Sequence, residues 1–200
     1  MDTLQSVALA AGLAWGSGIS LYAVLFLAGL MARLGYVGLP PGLELLTHPA
    51  VLGASGFMFA IEFFADKIPG FDSLWDAAHT FIRIPAGALL AALALAGQDP
   101  ALVLAAAILG GTLTSAVHLT KAGSRALINT SPEPYSNWTA SFGEEALLLG
   151  GMWAALMHPL LFFAGLAVFL LAALWLLPKI WRGLRVVWRR LSGALARQRP

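Results

Sequence analysis

The sequence predicts an all-α, polytopic membrane protein. It reads as a bundle of about six transmembrane helices, with two inverted three-helix halves as a further reading and a basic amphipathic helix at the C-terminus. Three observations predict this. Of 200 residues, 59% are hydrophobic and 11% are charged, whereas a soluble domain carries about a quarter charged residues. Apolar runs long enough to span a bilayer, roughly 20 residues as a helix, recur between Pro- and Gly-rich breaks. The charges gather in two islands and a tail, so the net charge of +2 decides little.

The chain has no cysteine, which removes disulfides, thiolate metal sites and thiol redox chemistry. The start, MDTLQSVALA, has an early acid and no basic segment, so it reads as a retained helix rather than a cleaved signal. No Gly-rich phosphate loop, HExxH pattern or hydrolase triad order occurs, and no cofactor or nucleic-acid partner is expected.

The first span covers about 7–32 without a charge. Its Gly12 and Gly16, then Ser17, Gly18 and Ser20, allow close helix approach. Tyr36 to Pro49 is a Pro/Gly-rich connection whose Leu43, Leu45 and Leu46 are expected at the membrane interface. The second span starts at Pro49, a favourable first helical residue, and stops near Ala65 at Asp66-Lys67-Ile68-Pro69-Gly70. The third runs from about Asp76 to Gly97. Asp99-Pro100 then forces a short turn, making the third and fourth spans antiparallel neighbours. The fourth runs from Pro100 to about Lys121, and the fifth from about Thr139 to Leu156. His158-Pro159 is another tight turn before the uncharged sixth span, Leu160 to Leu177. His48 and His158 flank prolines and suit capping or turn roles. Ser131-Pro132-Glu133-Pro134 reads as a rigid loop.

Residues 1–178 thus form one transmembrane domain, with repeat halves 1–99 and 100–178. The repeat rests on Gly16-Ser17-Gly18-Ile19-Ser20 against Gly110-Gly111-Thr112-Leu113-Thr114, and inverted repeats are common among secondary transporters. Residues 179–200 form a basic tail. Arg182, Arg185 and Arg189 fall on one face and Trp181, Leu184, Trp188, Leu191 and Leu195 on the other, as in an interfacial helix attracted to anionic lipid headgroups. The positive-inside rule puts this tail, and with six spans both termini, in the cytoplasm. Asn129-Thr130-Ser131 and Asn137-Trp138-Thr139 match the glycosylation pattern but fall on the cytoplasmic side.

The polar residues share depths. Counting about 1.5 Å per residue from the outer turns puts Glu62, Arg83, Glu144 and Glu145 each roughly 20 Å in, with Ser20 and Thr114 at the same level. One layer nearer the cytoplasm come Asp66, Asp72, Asp76 and His79, opposed by His118, Lys121, Arg125 and Asn129. Asn137 and Ser141 extend this funnel on the fifth span. Asp72, Asp76, His79 and Arg83 repeat at helical spacing, as do Thr114, His118, Lys121, Arg125 and Asn129, so an acidic stripe should face a basic one.

Pairing is how charge is tolerated inside a membrane, and Arg83 with Glu62 or Glu145, and Lys121 with Asp66, are the expected pairs. The acids outnumber the bases: Glu62, Asp66, Asp72, Asp76, Glu133, Glu144 and Glu145 oppose Lys67, Arg83, Lys121 and Arg125. Such a surplus near His79 and His118 suggests a protonatable or cation-binding site. Asp72, Asp76 and His79 offer divalent-cation ligands, although their spacing is no recognised metal motif.

The strings GISLYAVLFLAGLMARLG, EFFADKIPGFDSLWDAAHTFIR, HLTKAGSRALINTSPEPYSN and LPKIWR resemble an uncharacterised bacterial membrane-protein family known as a domain of unknown function. The resemblance covers nearly the whole chain. It implies a stand-alone multi-pass protein of the bacterial inner membrane and supplies no substrate.

The leading expectation is a small secondary transporter, or channel-like carrier, of a small polar or ionic solute. Glu62, Asp66 and Glu145 would take protons or a cation, while Arg83, Lys121 and Arg125 would hold an anionic group or alternate between carboxylates. One alternative is a membrane-embedded enzyme acting on a lipid or isoprenoid headgroup, with Asp76 and His79 as acid and base. The other is a structural or assembly subunit, for which the cluster should be collapsed and fully paired with no cavity at Glu62. The oligomeric state stays open, a homo-oligomer included.

Overall fold

The computed structural model describes residues 3–130 and 133–196, the side chains of 134 and 190–196 excepted. Ser131 and Pro132 of the expected rigid loop, and the side chains of Leu191 and Leu195 on the tail's apolar face, lie outside what is described. The described chain is helical throughout. Its α-helices are α1 (Thr3–Arg33), α2 (Pro49–Ala65), α3 (Phe71–Ala94), α4 (Pro100–Ile128), α5 (Pro134–Met157) and α6 (Pro159–Ala196), with a short 3-10 helix at Pro41–Thr47. Among the described residues, α1, α3, α4 and α6 are each long and apolar enough to cross a membrane alone. The α2 helix has only 17 residues, and it joins the 3-10 helix at a bend of 71° that can count as one broken span. The α5 helix carries Asn137, Ser141, Glu144 and Glu145 in its first half, and that polarity separates it from the four.

The turns form as the local chemistry requires. Asp99 caps α4 by accepting from the Ala101 amide at 2.7 Å, and His48 caps α2 through Nδ1 from Ala50 at 3.2 Å. In each case Pro occupies the first helical position, where its missing N–H costs nothing. His158 rests on the Trp153 ring, 4.7 Å between centroids. The α3 helix starts earlier than the sequence suggests, at Phe71, because Gly70 at φ 84° turns the chain directly into it.

The α1 helix is the axis of the bundle. Of its most apolar stretch, 72% of residues are buried, against 33%, 22% and 11% in α3, α4 and α6. It packs on all five other α-helices and on the 3-10 helix. Small residues make this centre possible: a Cβ on Gly18 would lie 2.6 Å from Val117 Cβ and 2.8 Å from the Thr114 carbonyl of α4. At the α3–α4 contact, a Cβ on Gly87 would overlap the Thr114 hydroxyl, which itself donates to the Ala14 carbonyl of α1 at 2.7 Å. The sequence comparison of the first and fourth spans therefore marks two surfaces that touch. The two helices differ, however: α1 is central and broken at Ser20, whereas α4 is regular and less buried.

Two expectations change here. Leu43 and Leu46 of the 3-10 helix are buried in the protein core, and only Leu45 is exposed, at 75%. The reason is the backbone approach at Gly29 and Gly42, which admits the 3-10 helix against α1 and α3. The basic tail is no separate element either. The α6 helix continues through Pro178, where Ile180 packs on Gly123 and Gly183 on Leu127 of α4.

Candidate functional site

Near Ser20 the backbone of α1 leaves the helical region, with φ −150° and ψ 103°. This is extended backbone, so α1 is two half-helices joined end to end. Ser20 then acts as the N-cap of the second half: its hydroxyl oxygen accepts from the Ala23 amide at 3.4 Å while its proton goes to Glu62. The first half ends with carbonyls lacking partners further along the helix, as every helix end does, and Lys121 answers one of them. Its ammonium donates to the Ile19 carbonyl at 2.9 Å. A carboxylate at a helix N-terminus and an ammonium at a C-terminus both match the local dipoles.

Around this break the two charged stripes face each other. On α3 the buried polar positions are Asp72, Asp76, His79 and Arg83, and on α4 they include Thr114, His118, Lys121 and Arg125. The helical period does this, since residues three and four apart share one face. Arg83, fully buried, binds Glu62 of α2 and, at 2.9 Å, Asp76. Its Nη1 also donates to His118 Nδ1 at 3.2 Å. A guanidinium cannot accept, so the neutral His118 ring carries its proton on Nε2, which donates to Thr80 Oγ1 at 2.7 Å.

Lys121 donates to Asp66 Oδ2 at 2.7 Å, and Asp76 Oδ1 and Glu144 Oε2 each lie 3.8 Å from its nitrogen. Arg125 grips Glu144 of α5 with two bonds, at 3.1 and 2.7 Å. The same guanidinium donates to the Asp66 carbonyl at 3.0 Å and to the Asn137 carbonyl at 2.9 Å, and it reaches the Asn137 side chain. Asn129 donates to Asp72 at 2.6 Å and accepts from Asn137 at 3.1 Å. Lys67 donates to Glu145 at 3.1 Å and to Ser141 at 3.2 Å.

The structure thus brings together Glu62, Asp66, Asp72, Asp76, Arg83, His118, Lys121, Arg125, Asn129, Asn137, Glu144 and Glu145. His79 sits at the edge: Nδ1 meets the Trp75 carbonyl at 2.9 Å, Nε2 meets the Tyr22 hydroxyl at 3.3 Å, and the ring stacks on Trp75. The pair Arg83–Glu62 forms, but Glu145 goes to Lys67 at the end of α2 instead of to Arg83. Asp72, Asp76 and His79 do not converge on a metal position, because Asn129, Arg83 and Tyr22 draw them apart. Among the described residues no three His, Asp or Glu side chains are placed to hold a metal ion between them. Glu133 is exposed, outside the network.

The site is closed. At the Glu62 level a void of about 10 Å³ is lined by Ser20, Glu62, Asp66, Lys121, Glu144 and Glu145, with apolar neighbours. That is about the smallest space that admits one water. Pairing is incomplete, however. Six carboxylates (Glu62, Asp66, Asp72, Asp76, Glu144, Glu145) share four cations (Lys67, Arg83, Lys121, Arg125). Asp66 Oδ1, Asp72 Oδ2 and Asp76 Oδ2 are buried without a hydrogen-bond partner.

Residues 7–179 match the family DUF4126, a domain of unknown function. The chain belongs to this family. No curated protein and no solved structure matches it. The DUF4126 match takes in the broken helix and every member of the charged network, and it ends where the basic tail begins. In the sequence the Gly16–Ser20 run reads as a close-packing surface and as half of a repeat, not as a helix break. The signal for the break was there: two Gly and two Ser within five residues lower helix propensity, and two charged helices stood ready to satisfy the freed groups.

Proposed function

We propose that this DUF4126 protein is a small carrier of an ionic solute in the bacterial inner membrane, with both termini cytoplasmic. The observation that carries the reading is the break of α1 at Ser20, deep in the bundle and in contact with the Glu62–Arg83 and Asp66–Lys121 pairs. Broken membrane helices leave backbone groups free, and they persist where those groups serve an ion or substrate. The closed void favours a solute no larger than a hydrated proton or a bare ion. A carboxylate surplus beside cations already held by protein acceptors favours a positive charge over an anion.

The reading is tested in proteoliposomes with trapped pH- and ion-sensitive dyes, under imposed Na⁺, K⁺ and pH gradients. Wild-type protein should dissipate at least one gradient. Glu62→Gln and Glu145→Gln should stop the flux while leaving insertion and elution behaviour unchanged. Flux that survives both changes together would rule the mechanism out.

One observation favours a second reading, that of a structural or assembly subunit. The cluster is collapsed and mostly paired, as such a subunit requires. What that reading leaves unaccounted for is the surplus of carboxylates and the cost of the helix break. It predicts no flux under any gradient and stable co-purification with a membrane complex.

A further inference from the structure

We infer that the break in α1 forms a binding site for one alkali-metal cation, occupied in this structure by the ammonium of Lys121. The inference deepens the carrier reading and rests on it for its place in a transport cycle. A helix that ends inside the bundle presents carbonyl oxygens, and such ends coordinate cations in membrane carriers. Here the Ile19 carbonyl and Asp66 Oδ2 lie 2.9 and 2.7 Å from the ammonium nitrogen.

A second observation is independent of the ammonium. Asp66 is 6% exposed, and its Oδ1 has no hydrogen-bond partner, yet Asp66 lines the water-sized void beside the break. Ser20 and Glu62 border the same void. It has room for one small ion and no polyatomic solute. The ammonium that fills this place is monovalent, so an alkali-metal ion can replace it without a change of net charge.

Of Arg83, Lys121 and Arg125, Lys121 is the one able to leave. Arg125 makes bonds to Glu144, Asn137 and the Asp66 carbonyl, and Arg83 is held by Glu62, Asp76 and His118. Lys121 holds two direct bonds as a compact charge on a flexible stem. Asp76 and Glu144, each 3.8 Å away, are the next acceptors for its ammonium. An incoming ion would take the place at Ile19 and Asp66 while the ammonium shifts to those two.

The test is equilibrium binding to purified full-length protein in detergent, titrating NaCl and KCl against choline chloride and reading thermal unfolding and ²²Na⁺ or ⁸⁶Rb⁺ binding. Lys121→Met removes the internal competitor, so its affinity for Na⁺ or K⁺ should rise about tenfold or more over wild type. Asp66→Asn should abolish the binding. If Lys121→Met fails to fold, the wild type decides: a small amine-reactive reagent should modify Lys121 faster in NaCl or KCl than in choline. Unchanged labelling, or a Lys121→Met protein indifferent to both ions, would overturn the site. Binding without flux would sink the carrier reading and leave the site standing, and flux without Lys121-dependent binding would do the reverse.

Discussion

At the residue scale, Arg83 is the charge on which the network turns. It is fully buried, and Glu62 and Asp76 depend on it. Removing one partner of a buried pair leaves an uncompensated charge and costs about 3–5 kcal/mol. Arg83→Met should therefore lower stability by about that amount, measured by thermal unfolding in detergent. Adding Glu62→Gln should restore part of it, since one stranded carboxylate becomes neutral. If the double variant is as unstable as Arg83→Met alone, the pair is not coupled as the contact implies. Most of these side chains were legible in the sequence, because a charge in an apolar helix is costly enough to announce itself. Their partners were less so. Of the two partners expected for Arg83, Glu62 or Glu145, the first pairs with it and the second meets Lys67, since the depth of a residue along a helix does not fix which neighbour it faces.

At the scale of the element, the decisive feature is the broken α1. Ser20 holds the break in two ways, as the cap of the second half-helix and as a donor to Glu62. Ser20→Ala removes both and favours a straight helix. Loss of a Ser cap costs about 1 kcal/mol, so the variant should fold with a modestly lower unfolding temperature while ion flux falls steeply. An unaltered flux would show that the break is not part of the working machinery. Stripe patterns on α3 and α4 were readable because 3.6-residue periodicity is a local property. The start of α3 at Phe71 and the continuity of α6 through Pro178 were not. Gly70 and Pro178 are helix breakers by local preference, yet Gly70 stands at the start of α3, and α6, packed on α4, runs through Pro178.

At the scale of the whole molecule, the charge layout argues an orientation. Lys121 and Arg125 approach the end of α4 that packs on the Ile180–Gly183 stretch of α6, next to the basic tail. By the positive-inside rule this end should face the cytoplasm and the turn at Asp99 should face outward. A reporter active only in the cytoplasm, fused after residue 200, should be active, and the same reporter inserted at Gly97-Gln98 should be silent. The opposite pattern would invert the proposed direction of opening. Exposed Trp181 and Trp188 on α6, at 64% and 73%, suit the membrane interface, which is where the Arg-rich face would meet anionic headgroups.

The sequence by itself determined that this chain is a helical membrane bundle, where most of its helices run, and which charged residues lie inside it. Those follow from composition and from a single repeating angle, both written locally along the chain. Only the tertiary structure decided that α1 is the axis and is broken at Ser20. It alone showed that the Lys121 ammonium occupies the broken end, and that the funnel expected at Glu62 is closed to about one water. A helix break is stabilised by groups from other helices, here Glu62 and Lys121, and a cavity is the space that packing leaves over. Neither is the property of any one segment.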